Sequence, residues 1–282
     1  MEETVARVVQ TALGGPAWEV RRPEHGWSDR SFVATSGGRR VFVKFGTPGP
    51  ILRRVADLGA APAVLAAGEH DGSPYAIQEY VEGPFPDHAW VVEHRDELAA
   101  LLSRIHRDPA LRTLLATPRR VAFQVAALPE SRRLVEAAFG DRPGLRAAAE
   151  WLTAHQPALP DDELVPTHGD ISPKNFLITP RGLIMIDWED AALADPMRDL
   201  GPLLWWYFPP PAWPAVMNRY GTRLTPPLTV RVYWWAACIS LDITAGLLER
   251  GYRDDAAGFL DDFLAAAAER PNPRPQYRGL SR

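Results

Sequence analysis

The N-terminal part of the chain alternates short runs of β-branched and aromatic residues with polar or glycine-containing turns. SFVAT and RVFVKF are two such runs, and SGGR joins them. Because glycine tolerates positive φ angles, this arrangement predicts a β-hairpin. YAIQEYV predicts a third strand, which ends at EGPFP because neither a helix nor a central strand accepts its prolines. ILRRVADL, between the second and third runs, predicts a short helix.

After Asp87 the apolar residues recur at helical spacing. VVEHRDELAALLSRIHR has one apolar stripe, and four later segments have similar patterns: SRRLVEAAF, PGLRAAAEWLTAHQ, VRVYWWAACISLDITAGLLERG and DAAGFLDDFLAAAAER. NFLI and LIMID, separated by TPRG, interrupt them as a short predicted hairpin. We therefore expect an α+β, bilobal fold with a β-rich lobe over residues 1–82 and a helical lobe over residues 83–282. A ligand-binding cleft is expected between such lobes.

Composition excludes several classes of protein. With 46% hydrophobic residues the chain can form a substantial core, and a net charge of -4 argues against a general nucleic-acid binder. Cys238 is the only cysteine, so no internal disulfide or thiolate metal cluster is expected. The N-terminus lacks the basic start of a signal peptide, and no apolar stretch is long enough to cross a bilayer. We expect a cytoplasmic protein that binds neither nucleic acid nor membrane.

The stretch THGDISPKNFLI contains the strongest chemical pattern. Asp170 and Asn175 have the D-x-x-x-x-N spacing of a kinase catalytic loop, in which the aspartate accepts a hydroxyl proton and the asparagine coordinates Mg²⁺. LIMID is predicted to return antiparallel to NFLI and to bring Asp187 to the same end of the hairpin. A second carboxylate there suits Mg²⁺, which prefers oxygen ligands. The alternative is a simple β-hairpin with polar ends.

Lys44 ends the predicted strand VFVK, where the kinase pattern V-A-I-K places its phosphate-binding lysine. The compact charge of an ammonium group suits phosphate oxygens. The alternative is a lysine that faces solvent, as most lysines in β-strands do.

Taken together, these motifs make the sequence similar to the aminoglycoside phosphotransferase family, whose members have a protein-kinase-like fold and include viomycin and capreomycin phosphotransferases. The resemblance rests on VFVK, IQEYVEG, RIHR, HGDISPKNFLI and IDWEDAALADPMRDL, and extends from about Trp27 to Leu200.

The resemblance implies an ATP-dependent or GTP-dependent, Mg²⁺-requiring kinase. Asp170 would be the catalytic base and Lys44 the phosphate anchor, and the magnesium ligands would be Asn175 and Asp187. The remaining implied nucleotide contacts are the backbone near Glu79 and Val81, for the adenine edge, and Ser28, for phosphate. His168 is expected to brace the loop, and Asp195 and Asp199 to hold the helical lobe together.

The sequence also departs from the kinase pattern. No glutamate lies between Lys44 and Asp57, where the partner of the lysine is expected, so either Asp57 replaces it or Lys44 relies on Asp187 and the nucleotide. HGWSDRSF does not match G-x-G-x-x-G. HGD replaces the H-R-D of protein kinases, and no A-P-E segment follows Asp187. The acceptor is therefore expected to be a small molecule.

Acidic and aromatic residues after Asp187 predict the acceptor pocket, and they are Glu189, Asp190, Trp206 and Asp242. Such a pocket binds amines by charge and by cation–π contact, which suits a basic antibiotic, either an aminoglycoside or a viomycin-type or capreomycin-type cyclic peptide. The alternative for Asp242 is an ion pair with an arginine of another helix. Two further functions stay open, a metabolic kinase for choline, homoserine or a ketosamine, and a non-catalytic nucleotide-binding pseudokinase.

Overall fold

The computed structural model describes residues 1–23, 30–116 and 122–273. The chain divides into two compact units, each assembled from several segments. The first comprises Met1–Pro86, Asp108–Pro118 and Ser172–Glu189, and the second comprises Asp87–Arg107, Arg119–Ile171 and Asp190–Arg282. The predicted division into lobes over residues 1–82 and 83–282 stays a prediction.

The first unit contains a five-stranded antiparallel sheet in the order β1-β2-β3-β5-β4. Its strands are β1 (Glu19–Arg21), β2 (Ser31–Ser36), β3 (Arg39–Phe45), β4 (Val64–His70) and β5 (Ser73–Glu79). The predicted β2–β3 hairpin is confirmed, and it turns at Gly37 and Gly38, which both have positive φ. The β4–β5 hairpin turns at Asp71 and Gly72, again with two positive φ angles, as two-residue hairpin loops favour.

Helices α1 (Glu2–Leu13), α2 (Gly49–Asp57) and α5 (Pro109–Ala116) belong to the same unit as the sheet. Val5 and Val9 of α1 pack with Phe32, Val41 and other buried residues of the sheet in one apolar core. This burial explains the helical spacing of valines near the N-terminus, because an amphipathic helix is stabilised mainly by packing its apolar face.

A third antiparallel hairpin also belongs to the first unit. It pairs β7 (Phe176–Thr179) with β8 (Gly182–Met185), and Phe176 lies opposite Met185. Two backbone hydrogen bonds attach it to the rest of the unit, from Ile178 N–H to Pro84 O (3.1 Å) and from Met185 N–H to Ala60 O (2.8 Å). Gly83 permits this approach, since a Cβ there would lie 2.3 Å from the Ile178 carbonyl oxygen.

The second unit is mainly helical. Its helices are α3 (His88–Glu93), α4 (Arg95–His106), α6 (Phe123–Phe139), α7 (Leu145–Ala154), α8 (Met197–Tyr207), α9 (Trp213–Tyr220), α10 (Pro226–Glu249) and α11 (Arg253–Ala267). β6 (Val165–Thr167) and β9 (Ala192–Ala194) pair antiparallel. The longest helix, α10, packs against α6, α8 and α11, and the indole of its buried Trp234 donates to Leu152 O (2.7 Å). The predicted α+β class is confirmed. None of the described helices combines the length and apolarity that crossing a membrane requires.

Candidate active site

Lys44 lies near the end of β3, and its side chain is only 3% exposed. Its ammonium group forms an ion pair with Asp187 and lies 3.3 Å from Oε2 of Glu189. A buried charge is costly unless it is paired, so the two carboxylates explain how β3 can bury a lysine. The alternative of a solvent-facing Lys44 is wrong. In this structure its partners follow β8, and they are not residues of α2.

The β7–β8 hairpin brings Asn175 and Asp187 to the same end. Asn175 directly precedes β7, and its carbonyl oxygen accepts a hydrogen bond from Ile186 N–H (2.8 Å), one residue before Asp187. Asp187 has a left-handed backbone (φ 67°), which aspartate tolerates better than most residues and which clusters at functional sites. The predicted hairpin is therefore present.

The donors at this end suit Mg²⁺. Asn175 offers an amide oxygen and Asp187 a carboxylate, both hard oxygen ligands. Among the described residues no group of three or more His, Cys, Asp or Glu side chains is positioned to hold a metal ion. Mg²⁺ is usually held by one or two carboxylates with phosphate and water, so such a group is not needed.

Asp170 belongs to the second unit, in the loop after β6. Asp170 is exposed, whereas His168 and Gly169 immediately before it are buried. The Asp170 N–H donates to Nδ1 of His168 (3.2 Å), which matches the expectation that His168 braces the loop. The carboxylate is thus carried by a loop whose preceding residues are fixed.

Asp199 of α8 holds the backbone of this loop. Its carboxylate accepts hydrogen bonds from His168 N–H and Gly169 N–H, both 2.8 Å long, and lies 3.0 Å from Nε2 of His106. Burial alone would raise the pKa of Asp199, but the hydrogen bond from His106 and nearby positive charges outweigh it and lower this pKa. His106 in turn lies 3.0 Å from the hydroxyl of Tyr220, whose pKa burial raises to about 12. The backbone of the loop is therefore held by an ionised carboxylate, which His106 in turn connects to Tyr220.

The predicted nucleotide-binding residues lie in different settings. Glu79 ends β5, its N–H donates to Ala63 O (2.9 Å), and its carboxylate pairs with Arg181. Val81 lies in the irregular segment that follows β5. Ser28 lies outside the described residues. All three assignments stay predictions.

The predicted acceptor residues are divided between the two units, and their assignment to the acceptor stays a prediction. Glu189 belongs to the first unit and lies against Lys44, whereas Asp190, Trp206 and Asp242 belong to the second unit. The Asp190 carbonyl accepts a hydrogen bond from Arg198 (3.0 Å), and the half-buried Trp206 donates its indole N–H to Asp262 (3.3 Å).

Asp242 is half-buried on α10. Ser131 of α6 donates a hydrogen bond to it (3.3 Å), and burial raises the pKa of its carboxyl group. No lysine or arginine in the described part of the chain lies within 4.0 Å of its carboxylate, so the alternative of an ion pair with another helix is not found there.

Comparison with known proteins identifies the family. The model of the phosphotransferase enzyme family, abbreviated APH, matches residues 19–235. The chain belongs to this family. It is therefore an enzyme, a kinase-type phosphotransferase with an alcohol group as acceptor. The predicted resemblance is confirmed.

Solved structures with low sequence identity share the fold. LicA in complex with AMP is 17% identical, with a TM-score of 0.67, and the match covers 95% of this chain and 97% of LicA. The GDP and kanamycin complex of APH(2")-IIia is 18% identical, with a TM-score of 0.66 and coverage of 92% and 97%. The macrolide 2'-phosphotransferase MphH from Brachybacterium faecium is 17% identical, with a TM-score of 0.58 and coverage of 92% and 97%. These similarities confirm a protein-kinase-like fold.

A curated relative matches a shorter part. Acyl-CoA dehydrogenase family member 11 from Gallus gallus is 33% identical over 93 residues, which are 32% of this chain and 11% of that protein. The match thus spans about a ninth of the length of this relative.

Proposed function

We propose that this phosphotransferase transfers a phosphoryl group from ATP or GTP to a hydroxyl of a cationic small molecule. Our first candidate for the acceptor is a basic antibiotic, an aminoglycoside or a viomycin-type or capreomycin-type cyclic peptide, so that the enzyme confers resistance. A nucleotide donor is supported by related structures that are complexes with AMP and GDP.

Within this proposal Asp170, Lys44, Asn175 and Asp187 each have a role in the reaction. Asp170 accepts the proton of the attacking hydroxyl, and Lys44 binds phosphate oxygens of the nucleotide. Asn175 and Asp187 are the residues that would hold Mg²⁺. When bound, this ion would neutralise charge on the phosphate oxygens. The nucleotide base is assigned to the backbone near Glu79 and Val81, and Ser28 is assigned to phosphate.

The observation that carries the choice of a cationic acceptor is the environment of Asp242. Its carboxylate is half-buried, and the partner that the structure gives it is the hydroxyl of Ser131. Burial without a charged partner disfavours an ionised carboxylate, which explains why its pKa is raised. An ammonium group of the acceptor would supply the missing positive charge. Asp190 and Trp206 are proposed to add charge and cation–π contact to the same acceptor.

A metabolic kinase is the second candidate. Choline kinase LicA from Streptococcus pneumoniae has a TM-score of 0.64 to this chain at 18% identity, and the match covers 95% of this chain and 98% of LicA. Choline is also a cation that carries a hydroxyl, so the anionic site at Asp242 suits it. Homoserine and ketosamines carry both an amine and hydroxyls. A pseudokinase would show no turnover with any of these acceptors.

Substitution of Asp242 tests the proposal. In Asp242→Asn we expect the Michaelis constant of a cationic acceptor to rise about tenfold, which corresponds to one charged hydrogen bond, while nucleotide affinity is kept. The Michaelis constant of the wild-type enzyme for the cationic acceptor should also rise with salt. Added salt shortens the electrostatic screening length, which is about 8 Å at physiological ionic strength. The exposed Asp255 of α11 offers a matched control, Asp255→Asn. A neutral acceptor that is phosphorylated efficiently and independently of salt would contradict the proposal.

A further inference from the structure

Arg198 of α8 is fully buried beside the loop that carries Asp170. Its Nε donates to Oε1 of Gln124 (3.0 Å), and its Nη1 donates to the hydroxyl of Thr167 (2.9 Å) and to Asp190 O (3.0 Å). Its Nη2 has no hydrogen-bond partner among the described residues. Residues of α6, of β6 and of the segment before β9 therefore contact one guanidinium group.

The guanidinium occupies the space that a side chain at position 169 would need. A Cβ added to Gly169 would lie 2.1 Å from Nη2 and 2.2 Å from Cζ of Arg198. Gly169 also has a positive φ of 92°, which favours glycine independently. Its carbonyl accepts a hydrogen bond from Nε2 of Gln124 (3.1 Å), and its N–H donates to Asp199. The peptide before Asp170 is thus held on each side.

This arrangement is energetically costly. Burial lowers the pKa of Arg198, while the negative charges of Asp199, Asp190 and Asp170 act in the opposite direction. A buried charge with an unsatisfied N–H contributes little to the stability of a core. Apolar side chains of similar volume often give equal or higher stability at such a position. The cost indicates a role beyond packing.

We propose that Arg198 is a positioning residue for catalysis, which fixes the Gly169 peptide and thereby the orientation of the Asp170 carboxylate. Protein kinases carry an arginine inside the loop, between the histidine and aspartate of H-R-D. Here the positive charge comes from α8, and position 169 must lack a side chain because Arg198 fills its place. This inference rests on the proposed function of Asp170 as the base.

Two substitutions of Arg198 test the role. Arg198→Met should lower kcat about a hundredfold, the scale expected when a catalytic group is misplaced by about 1 Å, with both Michaelis constants nearly unchanged. Arg198→Lys should recover part of this loss because it keeps the charge. Arg231→Met is a matched control, since Arg231 pairs with Asp195 in the same unit and has no assigned role in the reaction. A loss of thermal stability in Arg198→Met without a loss of kcat would overturn the proposal.

The clash that a side chain at position 169 would make with Arg198 gives an independent test of the proposal. Gly169→Ala should lower kcat in the wild-type background. In an Arg198→Ala background the same substitution should cause a loss of kcat that is about tenfold smaller, because non-additive effects are expected between residues that are in contact. Additive effects would overturn the proposal. If the Arg198 variants do not fold, Gln124→Met removes the bridge to the Gly169 carbonyl and should itself lower kcat. Normal kcat in Gln124→Met would likewise contradict the role.

Experiments can distinguish a failure of the positioning role of Arg198 from a failure of the assignment of Asp170 as the base. If Asp170→Asn keeps normal turnover, the base assignment is wrong and the inference fails with it. If Asp170→Asn is inactive while Arg198→Met turns over normally, only the role of Arg198 is wrong. In the Asp170→Asn background we expect Arg198→Met to cause no further loss, because no base remains to be positioned.

Discussion

At the scale of single residues, Asp170 is the side chain on which the proposed chemistry depends most. Replacing it with asparagine keeps its size and removes the proton acceptor. We therefore expect turnover in Asp170→Asn to fall by roughly a hundred- to ten-thousand-fold, with nucleotide affinity retained. Steady-state kinetics and nucleotide titration measure the two quantities. The exposed Asp141 provides a control, since Asp141→Asn should leave both unchanged. Normal turnover in Asp170→Asn would refute the assignment.

Glu189 is a residue for which sequence and structure point to different roles. The sequence places it in the acceptor pocket, whereas in the structure it lies 3.3 Å from the buried ammonium of Lys44. We expect Glu189→Gln to reduce kcat/KM for the nucleotide severalfold and to spare KM for the acceptor, because Lys44 loses one of two carboxylate partners. In a Lys44→Met background the same change should have little further effect. A raised acceptor KM with unchanged nucleotide kinetics would instead support the role predicted from the sequence.

At the scale of elements, α2 stands where a kinase helix would supply the glutamate partner of the lysine. Its Arg54 instead pairs with Asp108, at the start of α5, with 2.9 Å between Nε and Oδ1. This hydrogen bond lowers the pKa of the Asp108 carboxyl group. The pair therefore contributes stability above the unfolded pKa of about 4, and this contribution is lost as pH falls through the lower folded pKa.

Two substitutions separate stability from catalysis in α2. Arg54→Ala should lower the melting temperature at neutral pH, and the difference from the wild type should shrink in acid as Asp108 becomes protonated. Asp57→Ala should leave turnover nearly unchanged, whereas Lys44→Ala should remove most of it. Thermal melts across pH and steady-state rates provide the measurements. A large loss of turnover in Asp57→Ala would show that Asp57 is the partner that Lys44 needs.

Local sequence patterns predict the elements that form between residues close together in the sequence. The β2–β3 hairpin, β5 and the β7–β8 hairpin follow from β-branched runs and glycine turns. β4 was not predicted, because VLAAGEH is rich in alanine and glycine, although the Asp71–Gly72 pair after it is a strong hairpin signal. The β6–β9 pair was missed because strands of three residues that are distant in sequence leave no local pattern.

Side-chain partners were harder to predict than elements. The register of β7 and β8 follows from their pattern, so the approach of Asn175 to Asp187 was predictable. The contact of Glu189 with Lys44 is not predictable in this way, because it depends on how the hairpin attaches to the rest of the unit through Ala60 and Pro84. The sequence carries one signal for Arg198, since an arginine in an apolar helix needs buried partners.

At the scale of the whole molecule, the chain is a member of the phosphotransferase enzyme family with a protein-kinase-like α+β fold. The family establishes the type of reaction, and we propose that residues of the second unit select the acceptor. There we propose that the half-buried Asp242, which accepts a hydrogen bond from Ser131, attracts the positive charge of the acceptor and that Asp170 accepts its proton. We therefore propose that the enzyme phosphorylates a hydroxyl of a cationic small molecule.

Mass spectrometry of candidate acceptors tests whether the enzyme phosphorylates a cationic small molecule. The wild-type enzyme is incubated with Mg²⁺, ATP or GTP, and a panel of aminoglycosides, viomycin, capreomycin, choline and neutral sugars, beside Asp170→Asn as the control. We predict a mass gain of one phosphoryl group on at least one cationic compound, no gain on neutral sugars, and no gain with Asp170→Asn. Phosphorylation of neutral compounds alone, or no phosphorylated product in the whole panel, would contradict the proposed function.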